Sequence, residues 1–252
     1  MIEYIKIDDI NIGYYTNETN SKNTVILLHG WGQNFNCFKS LINVLEENYK
    51  IYAIDLPGFG LSEEPKTNYT IYDYENVFTE FIKQKKINDF DLIAHSFGGR
   101  IALIYASKND NIKHLILTGC AGLKPQKSFK DELKIYHYKF MKLLTKTIFY
   151  KQFYYDLIEN SGSEDYKNAS PRMKEVLKNT VNEDLFYTLN KIKTKTFLYW
   201  GANDDATPLT DGYTMKEEIK NSEIFIQYEG DHFAFLTFSN EFIKKVVNFL
   251  KI

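Results

Sequence analysis

A chain of 252 residues, 44% hydrophobic and 25% charged, is long and apolar enough for one sizeable core, and its length does not require a second domain. A formal net charge of −2 gives no basic footprint for nucleic acid or an anionic membrane. The two cysteines, Cys37 and Cys120, form neither a disulfide framework nor a metal-ligand spacing and read as free thiols. Charge from the third residue onward is not a signal-peptide pattern, and no apolar run approaches the length of a membrane span. The expectation is a soluble cytoplasmic protein, monomer or homodimer, that acts on a small molecule and has no nucleic-acid partner.

Residues 3–7 and 11–16 alternate in polarity and predict an opening antiparallel pair, with a polar turn over 17–23. Residues 25–28 form a continuous apolar run, the mark of a strand buried on both faces. It ends in His29-Gly30-Trp31-Gly32, and a helix is expected over 38–47. The next strand, 51–54, leads into Asp55-Leu56-Pro57-Gly58-Phe59-Gly60-Leu61-Ser62, a loop rich in turn formers. A helix over 72–86, a strand over 90–94, a helix through 98–106 and a strand over 113–118 follow. Strands alternating with helices imply a parallel sheet covered on both faces.

The rhythm breaks over 122–191, where lysine-studded helical segments carry Phe129, Tyr136, Phe140, Phe149, Tyr154, Phe186 and Tyr187, with a polar loop over 160–170. It resumes with a strand at 196–200, a helix at 214–220, a strand at 223–228 and a closing helix at 240–250. This gives a core of residues 1–121 and 192–252 and a helical cap insertion, 122–191, placed over the strand ends. Some of the cap aromatics are expected to face the sheet and form an apolar pocket.

The polar residues of interest fall at the carboxyl ends of these strands, where open parallel sheets bind ligands. Leu92-Ile93-Ala94-His95-Ser96-Phe97-Gly98-Gly99-Arg100 joins a buried strand to a helix through one serine. A sharp turn there presents Ser96, requires small neighbours at Ala94 and Gly98, and sets the Phe97 N–H at a helix N-terminus where an oxyanion would be stabilised. An ordinary strand–helix unit with a serine cap gives the same pentapeptide, so the motif alone does not decide. Asp204 and Asp205 follow the 196–200 strand and His232 follows 223–228. A serine nucleophile needs an imidazole to take its proton and a carboxylate to orient that imidazole, and the order Ser, Asp, His suits a strand–elbow–helix fold.

These stretches, with Gly201-Ala202-Asn203-Asp204 running to Pro208 and Gly230-Asp231-His232, resemble the α/β-hydrolase-fold superfamily along essentially the whole chain. The resemblance implies a mostly parallel eight-stranded sheet with a helical cap, and a cofactor-free esterase-like serine hydrolase with no metal. By the family's glycine-to-proline spacing it selects Asp204 over Asp205, and it makes the Trp31 N–H the second oxyanion donor beside Phe97. His29-Gly30-Trp31-Gly32-Gln33-Asn34 with the 55–60 loop is similar to pimeloyl-acyl-carrier methyl-ester esterases. The expected catalytic residues are Ser96, Asp204 and His232, with His29, Cys120 and Phe233 at the substrate pocket. Plainer roles are expected elsewhere. His95 points away along its strand into the core, and Asp55 fixes its turn. Asp205 is solvated, Arg100 makes a salt bridge on its helix, and His114 and His137 lie at the surface or in the cap. Cleavage of an ester or thioester is the leading expectation. Carbon–carbon hydrolysis, lactone opening and acyl transfer run on the same triad, and a non-catalytic ligand-binding protein keeps the same fold.

Overall fold

In the computed structural model, which describes residues 1–124 and 169–251, strands form where the apolar runs lie. They are β1 (Ile2–Ile7), β2 (Ile10–Thr16), β3 (Thr24–Leu28), β4 (Lys50–Ile54), β5 (Phe90–His95), β6 (Ile112–Thr118), β7 (Lys195–Gly201) and β8 (Ser222–Gln227). All eight join one sheet in the order β1-β2-β4-β3-β5-β6-β7-β8. β1 pairs antiparallel with β2 and β2 antiparallel with β4, while every pairing from β4 to β8 is parallel. This is an alpha/beta hydrolase fold. The chain leaves β3 for β4 on one side and returns to β5 on the other, so a topological switch point lies at the carboxyl ends of β3 and β5.

Alternation along the strands divides the core between two faces. Ile26, Leu28, Leu92, Ala94, Leu115, Leu117, Leu198 and Trp200 face one cluster, together with helices α2 (Ile71–Gln84) and α3 (Phe97–Ala106). Val25, Leu27, Ala53, Ile93, Ile116, Phe197 and Tyr199 face the other, with α1 (Lys39–Leu45) and the closing helix, here α8 (Ser239–Leu250). Each fully buried aliphatic or aromatic side chain contributes roughly 1.5–3 kcal/mol relative to exposure, so both layers are held by the strand pattern itself. α2 begins at a capping box, Thr70 with Asp73, and α3 is buried along its whole length.

Between β6 and β7 the described residues include α4 (Pro171–Val181) and α5 (Phe186–Leu189). Ser170 caps α4 by accepting from the Met173 N–H at 3.2 Å, and Pro171 occupies its first turn. Met173 and Val176 are buried against the α2–α3 cluster. Phe186 and Tyr187 are exposed and not turned onto the sheet; the Tyr187 hydroxyl meets that of Tyr72 at 3.0 Å. The remaining cap aromatics named above and His137 lie outside the described residues. After β7 come α6 (Leu209–Glu218) and, after β8, α7 (Ala234–Thr237). α6 begins five residues before the expected helix, because Pro208 supplies a start and Asp211 an acidic first turn. Among the described residues no helix is long and apolar enough to cross a membrane.

Candidate active site

Ser96 occupies the joint between β5 and α3 with φ 47° and ψ −109°, a left-handed conformation that costs a non-glycine residue roughly 1–3 kcal/mol. The joint is held from three sides. The Ser96 N–H donates to the Thr118 carbonyl at 3.1 Å, the Ala121 N–H donates to the Ser96 carbonyl at 3.1 Å, and the Gly98 N–H donates to the His29 carbonyl at 3.1 Å. Gly98 lies so close to β3 that a Cβ there would sit 2.5 Å from the Leu28 carbonyl oxygen. The small residue expected at this position is therefore required by backbone contact. Ala94 is fully buried on the strand side.

The Ser96 Oγ lies 2.9 Å from His232 Nε2, and His232 Nδ1 lies 2.9 Å from Asp204 Oδ2 and 3.1 Å from Oδ1. Three residues 136 and 28 positions apart in sequence thus form one hydrogen-bonded line, because β5, β7 and β8 all end at the same edge. The carboxylate fixes the imidazole with Nδ1 as donor, which leaves the Nε2 lone pair to accept the serine proton. The Asp204 carboxylate is itself held by the Ala206 N–H at 3.0 Å, the Thr207 N–H at 2.8 Å and the Thr207 hydroxyl at 2.8 Å. Burial raises its pKa, but hydrogen bonds from His232 and Thr207 outweigh that and hold it below the usual carboxylate value. Asp205 is exposed. Thr207 is a residue that sequence reasoning missed. Its signal was an acid three positions before a threonine at a helix start, and the loop is closed by Trp200 Nε1 donating to the Thr207 carbonyl at 2.8 Å.

A cavity of about 280 Å³ opens onto Ser96 and His232. Trp31, Phe97 and Phe233 line it, as do Leu177 and Val181 of α4. Trp31 and Phe97 meet edge to face, 5.2 Å between ring centres. His29 and Cys120 are not among its described lining residues. His29 is fully buried and ties two loops together. Its Nδ1–H donates to the Gly30 carbonyl at 2.7 Å and its Nε2 accepts from the Leu56 N–H at 2.9 Å. Burial lowers its pKa to about 4, so the ring is neutral. Cys120 is fully buried behind Gly99, and burial pushes its thiol far up, opposed by Arg100.

His95 departs from the expected orientation. It is buried, yet it borders the cavity with its ring 4.8 Å from that of His232 and 4.4 Å from that of Phe235. Its Nδ1–H donates to the Thr118 carbonyl at 2.9 Å, and its buried Nε2 has no partner among the described residues. Burial, with the adjacent His232, lowers its pKa to about 3. The reason is positional: β5 runs on to His95, so the pleat that carries its ring ends beside the elbow rather than inside the sheet. Asp55 fixes its turn by accepting from the Phe35 N–H at 2.6 Å and the Leu61 N–H at 2.8 Å. His114 is paired with Asp91 at 2.8 Å. Arg172 donates to the Pro65 carbonyl at 3.1 Å. Arg100 makes no salt bridge on its helix among the described residues; it donates to the carbonyls of Glu183 and Val181. No group of three or more metal-ligating side chains occurs among the described residues.

The family profile described as "alpha/beta hydrolase fold" matches residues 23–154. An uncharacterized hydrolase, YugF, of Bacillus subtilis is 24% identical over 243 residues, covering 89% of this chain and 88% of the relative. A 1-acylglycerol-3-phosphate O-acyltransferase of Arabidopsis thaliana is 33% identical over 115 residues, 43% of this chain, and the aligned part spans only 28% of that relative's length. Among solved structures, an esterase from Exiguobacterium antarcticum superposes with a TM-score of 0.76 at 26% identity, covering 100% of both chains.

Proposed function

Because the chain belongs to the alpha/beta hydrolase fold family, we propose that it is a cofactor-free serine hydrolase that cleaves an ester or thioester of a small substrate. The observation that carries this reading is the unbroken line from Ser96 Oγ through His232 to Asp204, with both links at 2.9 Å. In this reading Ser96 Oγ attacks the substrate carbonyl carbon while His232 Nε2 takes its proton. The resulting oxyanion is held by the N–H groups of Trp31 and Phe97, the latter at the positive end of α3. His232 returns the proton to the leaving group as the carbon–heteroatom bond breaks, and the acyl group stays on Ser96. A water then gives its proton to His232 and its oxygen to the acyl carbon, and Ser96 leaves with the proton back on Oγ. Asp204 remains ionised throughout and stabilises the imidazolium. α4, in the described part of the expected cap insertion, supplies Leu177 and Val181 to the cavity wall. The likeness to an esterase that is covered over its whole chain supports this chemistry.

Acyl transfer is the second reading, favoured by the partial likeness to an acyltransferase; there an alcohol replaces water in the second half. A fluorophosphonate should label Ser96 alone, and Ser96→Ala should retain the fold while lowering turnover of p-nitrophenyl esters about 10³-fold or more. Retained turnover in that variant would sink the nucleophile assignment. Adding glycerol or a lysolipid to the assay separates the two readings: a new ester product, rather than free acid, identifies transfer.

A further inference from the structure

Arg100 is the cavity residue that the acyl chemistry leaves without a task. It lies on α3 one turn beyond Ser96, is 5% exposed, and lines the same cavity. Its Nη1 donates to the Glu183 carbonyl at 2.9 Å and its Nη2 to the Val181 carbonyl at 3.1 Å, at the end of α4. Among the described residues no carboxylate lies within ion-pair distance of it. Glu183 and Asp184 lie near enough to favour its charged form, against the burial that opposes it, but their carboxylates are turned to other partners: Glu183 accepts from the Tyr72 hydroxyl at 2.5 Å, and Asp184 accepts from the Phe186 N–H at 3.1 Å.

A guanidinium keeps its charge on burial and presents five N–H donors in a rigid fork. Two carbonyls engage two of them. A buried charge is costly unless an opposite charge meets it, and the partial negative end of a helix offsets only part of a full positive charge. Outside the triad, the other acidic group on the described cavity wall is Asp211. Burial and the nearby Asp204 raise its pKa, so this wall carries its negative charge less readily than an exposed acid would.

We propose that the cavity takes an acyl substrate bearing a carboxylate, which completes the ion pair with Arg100 while the carbonyl to be attacked lies at Ser96. The inference rests on the hydrolase reading above and names its substrate class, a short dicarboxylic acid held as a monoester. The modest cavity volume, about 280 Å³, suits such a molecule. Arg100 is then a specificity residue and takes no part in proton transfer.

Binding and turnover test separate halves of this idea. Calorimetric titration of Ser96→Ala with monomethyl glutarate and with the neutral methyl pentanoate should show the anionic ester binding at least about tenfold more tightly. In Ser96→Ala/Arg100→Gln the preference should vanish, and Arg100→Lys should restore part of it. If the Arg100 variants fail to fold, the comparison of the two ligands in Ser96→Ala still decides. The native enzyme should likewise favour p-nitrophenyl hydrogen glutarate over p-nitrophenyl pentanoate in kcat/KM by about tenfold or more. Equal affinities, or a preference that survives Arg100→Gln, would overturn the Arg100 assignment even if both esters are hydrolysed. Preferential binding without turnover of either ester would keep it and reject the hydrolase reading instead.

Discussion

Asp204 and Asp205 are neighbours of the same chemistry in different surroundings. Asp204 receives two backbone N–H groups, the Thr207 hydroxyl and the His232 ring, whereas Asp205 stands in solvent. An amide at 204 would present an N–H or a carbonyl where a carboxylate now fixes the donor nitrogen, and it would not stabilise the imidazolium. Asp204→Asn should therefore lower kcat by about 10²- to 10⁴-fold with little change in KM, while Asp205→Asn stays within about twofold. Steady-state kinetics on one p-nitrophenyl ester measures both. The reverse ranking would show that the orienting role belongs to Asp205 instead.

At the scale of elements, the joint between β5 and α3 carries the most constraint. Gly98 approaches the end of β3 so closely that Gly98→Ala would drive a methyl group to 2.5 Å from the Leu28 carbonyl oxygen and 2.8 Å from that of His29. Overpacking of this kind costs about 1–3 kcal/mol. Here it would also push the nucleophile away from His232. The urea midpoint should fall, and the rate of fluorophosphonate labelling should drop by more than the folded fraction accounts for. Normal labelling in a destabilised protein would mean that the joint tolerates the shift. The same joint explains what was legible in the sequence. Continuous apolar runs such as 25–28 and 90–94 can be satisfied only by strands buried on both faces, so the sheet could be read directly. Ser96 and the Asp204–Asp205 pair follow such runs, whereas His232 follows the less buried β8, and the choice of Asp204 rested on the resemblance and its glycine-to-proline spacing. What could not be read depends on contacts distant in sequence. The two carbonyl partners of Arg100 lie more than eighty residues away, and the ring contacts of His95 with His232 and Phe235 depend on where β8 and α7 end. The start of α6 was legible in Pro208 and Asp211, ahead of the helix expected over 214–220.

The molecule as a whole carries an acid sensitivity built from two buried imidazoles. Burial lowers the pKa of His29 to about 4, and burial with the neighbouring His232 lowers that of His95 to about 3, from an ordinary value of 6.5 for both. Above pH 6.5 each ring is neutral whether the chain is folded or not, so neither makes stability depend on pH. Below pH 6.5 the unfolded chain binds two protons that the native rings refuse. Stability should then fall with a slope approaching about 2.7 kcal/mol per pH unit, which amounts to roughly 4 kcal/mol by pH 5. Against a typical total of about 5–15 kcal/mol this is a large fraction. Asp204 adds a loss of the same sign, but only below its ordinary value of 3.8, since its folded pKa lies lower still. Asp55 and Asp211 act in the opposite sense. Their pKa values are raised, chiefly by burial, so protonation relieves a buried charge and offsets part of the loss as the pH nears 4. The window in which the imidazoles dominate is therefore about pH 5 to 6.5. Urea unfolding at half-unit steps from pH 7.5 to 5 should give a level midpoint that turns down below pH 6.5. His95→Gln, whose amide can still donate to the Thr118 carbonyl, should roughly halve the slope. A midpoint level down to pH 5 would show that both rings gain a proton inside the folded protein, and half the slope in the native protein that one does; the Nε2 of His95, which has no partner among the described residues and lies beside the cavity, is the atom positioned to take it.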